Sequence, residues 1–184
     1  FRLADDPMGL GYALWVASLR CGDLEEAARL ASEADAVLRR EDVPLGVAHN
    51  AEGRGIIAID RGDIGGGAVF VAEAVHLFSS YDNAGCTAHA LEAAAVVLAK
   101  TGRDAVAAEL IGAAEELRRR SGQGHRPWEV RQRHGAIEER LALDPDQRER
   151  SIALGRRHTL ASASALALDS LRAVSTYGEG ITAL

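Results

Sequence analysis

The chain has 184 residues and a formal net charge of −6 at pH 7; 47% of its residues are hydrophobic and 4% are aromatic. Frequent alanine and few aromatic residues favour helices over strands. No apolar run approaches the ~18 residues needed to span a bilayer, and the first residues lack the basic and apolar regions of a signal peptide. We therefore expect one helical domain, which begins inside a longer protein because no initiator Met is present.

A turn centred on glycine recurs every forty residues, at Gly22, Gly62 and Gly102. The residues after each turn also repeat, with alanines at 28, 68 and 108 and again at 34, 74 and 114. Self-similarity at a period of roughly 20–50 residues is typical of stacked helical hairpins. We expect the Gly to adopt the positive φ that ends a helix, and the neighbouring Asp to accept hydrogen bonds from the next helix.

The pattern predicts three helical hairpins within residues 1–121. They span about Pro7–Arg20 with Leu24–Arg40, Leu45–Asp60 with Ile64–Ser80, and Gly85–Lys100 with Asp104–Ser121. Residues 122–174 are expected to form capping helices that cover the apolar face of the last repeat, at about Trp128–Leu143, Pro145–Leu154 and Leu160–Val174. Residues 175–184 are expected to be a flexible tail.

One local conflict lies at Gly65, Gly66 and Gly67, where the second helix of the middle unit should begin. Each Gly costs about 1 kcal/mol relative to Ala inside a helix. Either this helix starts late, or another backbone packs very close to it. The late start is the simpler expectation.

The two cysteines, Cys21 and Cys86, form neither a redox CxxC pair nor a zinc-binding set. They are expected to be ordinary reduced cysteines of a cytoplasmic protein.

Charge is distributed unevenly, because residues 1–117 carry nine basic and nineteen acidic residues whereas residues 118–158 carry eleven Arg and six acids. A basic segment can mark nucleic-acid binding. Here Glu129, Glu138, Glu139 and Glu149 are interleaved at helical spacing, as on a solvated helix face with ion pairs. We therefore expect no direct nucleic-acid binding by this segment.

The forty-residue layout resembles the tetratricopeptide-like repeats of MalT-like regulators. Residues 107–118 read A-A-E-L-I-G-A-A-E-E-L-R, and they resemble the "A-A-x-L-x-G-A-A-E-x-L-R" near the end of the helical-repeat region in actinobacterial LuxR- and AfsR-type transcriptional regulators. The detailed similarity covers residues 77–171. It is also carried by Leu77-Phe78, Ala90-Leu91-Glu92, Thr101-Gly102, Gly155-Arg156, Thr159-Leu160 and residues 165–168.

The resemblance implies an all-α fold, a right-handed superhelical array of about three hairpins with a C-terminal helical cap. It also implies a signal-transduction ATPase whose nucleotide-binding domain lies elsewhere, since no GxxxxGK[ST] loop occurs here and Lys100 is the only lysine. The chain would then be a non-catalytic arm that contacts its own nucleotide-binding domain, a partner protein or peptide, or a small-molecule effector. The alternatives are a free-standing scaffold that binds a peptide and a sensor that binds a small molecule or metal.

Two HxxE pairs are the candidate binding residues, because His49 and Glu52 align with His89 and Glu92 in the first helices of units two and three. An i, i+3 spacing places each pair on one helix face. In a tetratricopeptide-like stack this face lines the concave groove, where Tyr12 is the first-unit equivalent. We expect these five residues to line a groove for a peptide or small ligand. A divalent metal is less favoured, since neighbouring units sit roughly 10 Å apart.

Catalytic residues are not expected anywhere in the chain. Ser79, Ser80, Ser121 and Ser162 follow no predicted strand, so none has the context of a nucleophile elbow. We expect no enzyme activity, no cofactor and no bound metal.

Overall fold

The computed structural model describes residues 6–122 and 141–181, and within these ranges all regular secondary structure is α-helical. Eight helices are described. They are α1 (Pro7–Arg20), α2 (Leu24–Arg40), α3 (Pro44–Asp60), α4 (Ile64–Ser80), α5 (Ala84–Lys100), α6 (Asp104–Ser121), α7 (Pro145–Gly155) and α8 (Leu160–Ile181). The predicted bounds of the first six agree with the structure to within one residue at each end.

The Asp of the recurring turn caps the helix that follows it in the first two units. The side chains of Asp23 and Asp63 accept hydrogen bonds from the backbone N–H groups of Glu26 and Gly66, at 2.9 and 2.8 Å. This satisfies one of the four amide donors that the start of a helix leaves unpaired. In the third unit an extra residue, Arg103, moves Asp104 into the first turn, and Arg103 makes no side-chain cap bond.

The backbone of the turn differs between units. Gly62 and Gly102 have φ of +86° and +73°, as expected, but Gly22 does not adopt a positive φ, so the prediction for the first turn is wrong. The turns that connect successive units use Asp instead, since Asp42 and Asp82 have φ of +52° and +51°. Asp tolerates this left-handed region better than most residues, which explains why these turns need no glycine.

Each of the first six helices packs against the next one along the chain, and α1, α3 and α5 also contact one another in that order. The first helices of the three units therefore lie side by side. One large apolar core runs through units two and three, and a smaller one, around Leu14, Leu38 and Val47, joins unit one to α3.

The two C-terminal helices pack at different places. Helix α7 lies against α6, whereas α8 lies chiefly against α4 and then α5, so it covers the middle unit as well as the last one. Ala163, Ala167 and Leu171 of α8 are fully buried in the main core, and Arg103 donates a hydrogen bond to the backbone oxygen of Ser170 at 3.2 Å. The expectation had placed both helices over the last repeat alone.

Three further boundaries differ from expectation or lie outside the described residues. Helix α8 continues to Ile181, so it includes most of the segment expected to be a flexible tail. Residues 141–144 are not helical, although the helix predicted at about Trp128–Leu143 includes three of them. The rest of that predicted helix, and the loop before it from residue 123 onward, lie outside the described residues.

One of the three glycines at the start of α4, Gly67, is explained by close packing. The helix begins at Ile64 and includes all three glycines, so the expected late start is wrong. A Cβ added to Gly67 would lie 3.1 Å from the backbone oxygen of Gly55 in α3 and 2.7 Å from Cγ1 of Ile59. At Gly67 the second alternative is correct: another backbone approaches closely, and only glycine leaves room for it.

The three turn glycines offer a matched test of backbone strain, because a Cβ at Gly22, Gly62 or Gly102 would meet no atom within 4 Å. We expect Gly62→Ala and Gly102→Ala each to lower the free energy of unfolding by about 1 kcal/mol, since an L-residue is strained at positive φ. Gly22→Ala should leave the free energy of unfolding unchanged or raise it slightly, because alanine gives the unfolded chain less conformational entropy than glycine does. Urea denaturation followed by circular dichroism measures all three, and equal effects at the three positions would contradict the φ assignment.

Candidate functional site

The five predicted binding residues lie on the first helices of the three units: Tyr12 on α1, His49 and Glu52 on α3, and His89 and Glu92 on α5. Tyr12, His49 and His89 are half-buried. Glu52 and Glu92 are buried, with 7% and 4% of their surface exposed. The structure therefore separates the rings, which can be reached from outside, from the two carboxylates.

Aromatic rings form a row that links α1 to α3. The ring centroids of Tyr12 and Trp15 are 6.3 Å apart at an interplanar angle of 72°, and those of Trp15 and His49 are 5.3 Å apart at 35°. The His49 ring then meets Phe78 edge-on, with centroids 4.8 Å apart. We call Tyr12, Trp15 and His49, together with His89 at the repeat-equivalent position on α5, the first-helix face.

Trp15 was not among the predicted site residues. Its signal in the sequence is the i, i+3 spacing from Tyr12, which places both rings on one side of α1. The repeat alignment does not show that Trp15 packs against Gly53 of the next unit. A Cβ added at Gly53 would lie 3.3 Å from the indole nitrogen of Trp15. The Trp15 ring thus covers the glycine of the next unit, and its buried N–H has no acceptor among the described residues.

His49 also contacts a thiol on the next first helix. Its Nε2 lies 3.8 Å from Sγ of Cys86, near the start of α5, and both residues are half-buried. Nothing in the sequence pattern connects these two residues, which are 37 positions apart.

Glu92 does not face an open groove, which corrects its expected role as a lining residue. It pairs with Arg118 of α6, whose Nη2 donates to Oε2 at 2.5 Å and whose Nη1 donates to Oε1. Arg118 is itself only 5% exposed. A buried carboxylate needs a cation and hydrogen bonds to offset its desolvation, and Arg118 supplies both within the third hairpin.

The arrangement does not favour the metal alternative. Among the residues that the structure describes, no group of three or more His, Cys, Asp or Glu side chains is placed to hold a metal ion. The buried pairing of Glu92 with Arg118 removes one of the four ligands that this alternative requires.

The segment that carries the family resemblance packs α6 against α7 and the turn that follows it. A Cβ at Gly112 would strike the backbone of Ile152, and one at Gly155 would strike the backbone oxygen of Glu109. Beside this contact, Nε2 of His158 lies 2.6 Å from a carboxylate oxygen of Glu109. The glycine of the resemblance motif, Gly112, is therefore needed because the backbones of α6 and α7 leave no room for a side chain there.

The exposed arginines at the end of α6 are ion-paired. Arg119 and Arg120 donate hydrogen bonds to Glu116 at 2.7 and 2.6 Å. These bonds, first that from Arg119 and then that from Arg120, lower the pKa of the Glu116 carboxyl to about 2. The remaining basic residues of this segment up to Arg140 lie outside the described residues.

No helix in the described part of the chain is long and apolar enough to cross a membrane. No family model, curated protein or solved structure matches the chain.

The Arg118–Glu92 pair is expected to be essential for stability. Arg118→Ala should lower the free energy of unfolding by about 3–5 kcal/mol, because it leaves a buried carboxylate without a counter-ion. Arg119→Ala, one residue further on and exposed, is the control and should leave stability nearly unchanged. Thermal or urea denaturation gives both values.

A double-mutant cycle isolates the pair itself. Combining Arg118→Ala with Glu92→Ala should cost clearly less than the two single effects added together, because the second change removes the uncompensated charge. Strict additivity would show that the two side chains do not stabilise each other.

Proposed function

We propose that this chain is a non-catalytic helical-repeat arm of a cytoplasmic transcriptional regulator of the LuxR/AfsR type. In this proposal the first-helix face binds a protein partner, with the regulator's own nucleotide-binding domain as the first candidate. Binding at this face would shift the equilibrium between inactive and active forms of the ATPase. The finer fold that belongs to this proposal is a right-handed, tetratricopeptide-like superhelix of three hairpins.

The packing order supports the superhelical proposal. Hairpins of similar length follow one another at a forty-residue period, and α1, α3 and α5 form one row of adjacent helices. In repeat proteins, each unit contacts only its neighbours, and the row of equivalent helices supplies a continuous binding surface. Helix α8 covers apolar surface of units two and three by packing against α4 and α5.

The row of rings on α1 and α3 is the observation that carries the functional proposal. Tyr12, Trp15 and His49 are half-buried and in contact with one another. Aromatic side chains with a polar group offer a large and rigid contact area at low entropic cost, and they dominate the binding energy of many interfaces. Val16 and Leu19 of α1, close to Trp15 in sequence, are 41% and 38% exposed, which adds apolar surface for a protein partner.

The charged residues of the resemblance segment also support a non-catalytic arm. Glu92 and Arg118 neutralise each other inside the third hairpin, and Glu109 and Glu115 bind His158 and Arg156 beside α7. These side chains are therefore engaged in packing helices together. A second candidate function, binding of a small-molecule effector, is favoured by the two half-buried imidazoles of His49 and His89 at equivalent positions of adjacent units.

The regulator proposal predicts the flanking sequence of the parent gene. Sequencing on both sides should find a GxxxxGK[ST] phosphate-binding loop on the N-terminal side and a helix-turn-helix at either end of the protein. A reading frame that stops close to Phe1 and Leu184 would overturn the regulator proposal and leave a free-standing scaffold.

The binding proposal is tested with Trp15 as a reporter. The chain has two tryptophans, so Trp128→Phe leaves Trp15 as the only one. Titration with the purified nucleotide-binding domain of the parent protein should shift Trp15 emission, and Tyr12→Ala or His49→Ala should weaken binding about 5- to 30-fold, as for interface hot spots.

His76→Ala is the matched control, because His76 is an exposed histidine on α4 and is not part of the first-helix face. It should leave the affinity unchanged. Binding that is insensitive to Tyr12 and His49, or that is lost equally with His76→Ala, would overturn the assignment to the first-helix face. An emission shift caused by a small molecule in a screen, with none from the domain, would favour the effector candidate.

A further inference from the structure

Cys86 and His49 form a thiol–imidazole pair between two adjacent first helices. The Sγ to Nε2 distance of 3.8 Å is within the range of hydrogen bonds to sulfur. A neutral imidazole can accept the thiol proton, and the resulting imidazolium can donate a hydrogen bond back to the thiolate. The thiolate is the nucleophilic form of cysteine, and an adjacent imidazole is one of the features that favour it.

The position of Cys86 in α5 acts in the same direction. Cys86 is the third residue of the helix, and its backbone N–H donates to the capping side chain of Asn83 at 3.1 Å. The first turn of a helix carries partial positive charge, which stabilises a negative sulfur. Contact with the apolar core acts in the opposite direction, but Cys86 is half-buried and therefore partly open to water and to reagents.

The imidazole is held in place by its neighbours. The His49 ring lies between Trp15 and Phe78, with ring centroids 5.3 and 4.8 Å away. The two rings restrict its rotation, so Nε2 stays directed towards the sulfur. Because the imidazole is held in this orientation, its Nε2 is positioned in advance to accept the thiol proton of Cys86.

The other cysteine provides an internal contrast. Cys21 is also half-buried, but it lies directly after the last residue of α1. The chain thus carries one cysteine at each kind of helix end, and only Cys86 has an imidazole within hydrogen-bonding distance among the described residues.

We infer that Cys86 is a reactive thiol that forms a mixed disulfide with low-molecular-weight disulfides, with His49 as its proton acceptor. The Cys86 sulfur attacks one sulfur of the disulfide, a new S–S bond forms and the original S–S bond breaks. The thiol proton passes to His49 and then to the departing thiolate, so no further oxidant is needed. This site goes beyond the proposed function and does not depend on the regulator assignment.

The experiment uses 4,4′-dithiodipyridine at pH 7 on the full chain, with mass spectrometry to assign the modified cysteine. Cys86 should react at least about tenfold faster than Cys21 in the same molecule. The reaction rate follows the fraction of each cysteine present as thiolate, and His49 should raise that fraction for Cys86 above that of an ordinary thiol. In urea the two rates should become equal, because unfolding removes both the imidazole and the helix. Equal rates in the native chain would overturn the inference.

His49→Phe identifies the role of the imidazole, because phenylalanine keeps an aromatic ring between Trp15 and Phe78 and removes the proton acceptor. The Cys86 rate should fall about tenfold towards the Cys21 rate, while the Cys21 rate stays constant and confirms that the variant is folded. An unchanged Cys86 rate in a folded variant would contradict the pairing. If both rates rise together the variant has unfolded, and the native-to-urea comparison of the unmodified chain then decides the question.

Discussion

Close approach between helix backbones is the constraint on which the rest of this structure depends. Gly55 and Gly67 allow α3 and α4 to touch, and Gly112 and Gly155 do the same for α6 and α7. Between these contacts, alanines at the repeated positions 34, 74 and 114 are fully buried. Small residues bury little apolar area each, so stability must come from many close contacts over the length of the helices.

A large side chain, Trp15, occupies a position on the first helix of unit one that is small in the other two units. Position 15 is tryptophan, while its repeat equivalents are Gly55 and Ala95. The Trp15 ring lies over Gly53 of the next unit and touches His49, which in turn reaches Cys86. The aromatic row, the imidazole and the thiol therefore lie along the same row of helices. The proposed partner surface and the proposed reactive thiol share His49.

Much of the fold could be predicted from the sequence, but less of the candidate site. Helix bounds followed from signals within a few residues: Asp23 and Asp63 cap the helices that follow them, and Pro44 and Pro145 open α3 and α7. The HxxE pairs were placed correctly on α3 and α5, yet their surroundings were not. The partner of Glu92 lies 26 residues away, and nothing in the local pattern shows that its carboxylate turns towards α6.

The sequence by itself determined the first six helices, the forty-residue unit and which residues share a helix face, because these depend on backbone propensities and spacing within one or two turns. The tertiary structure alone decided that Gly67 serves close packing, that α8 lies against α4 and not only on the last unit, and that Cys86 meets His49. These outcomes depend on the distance and orientation between helices, which the side chains of both partners set together. A periodic sequence specifies each helix but not how near it comes to its neighbour.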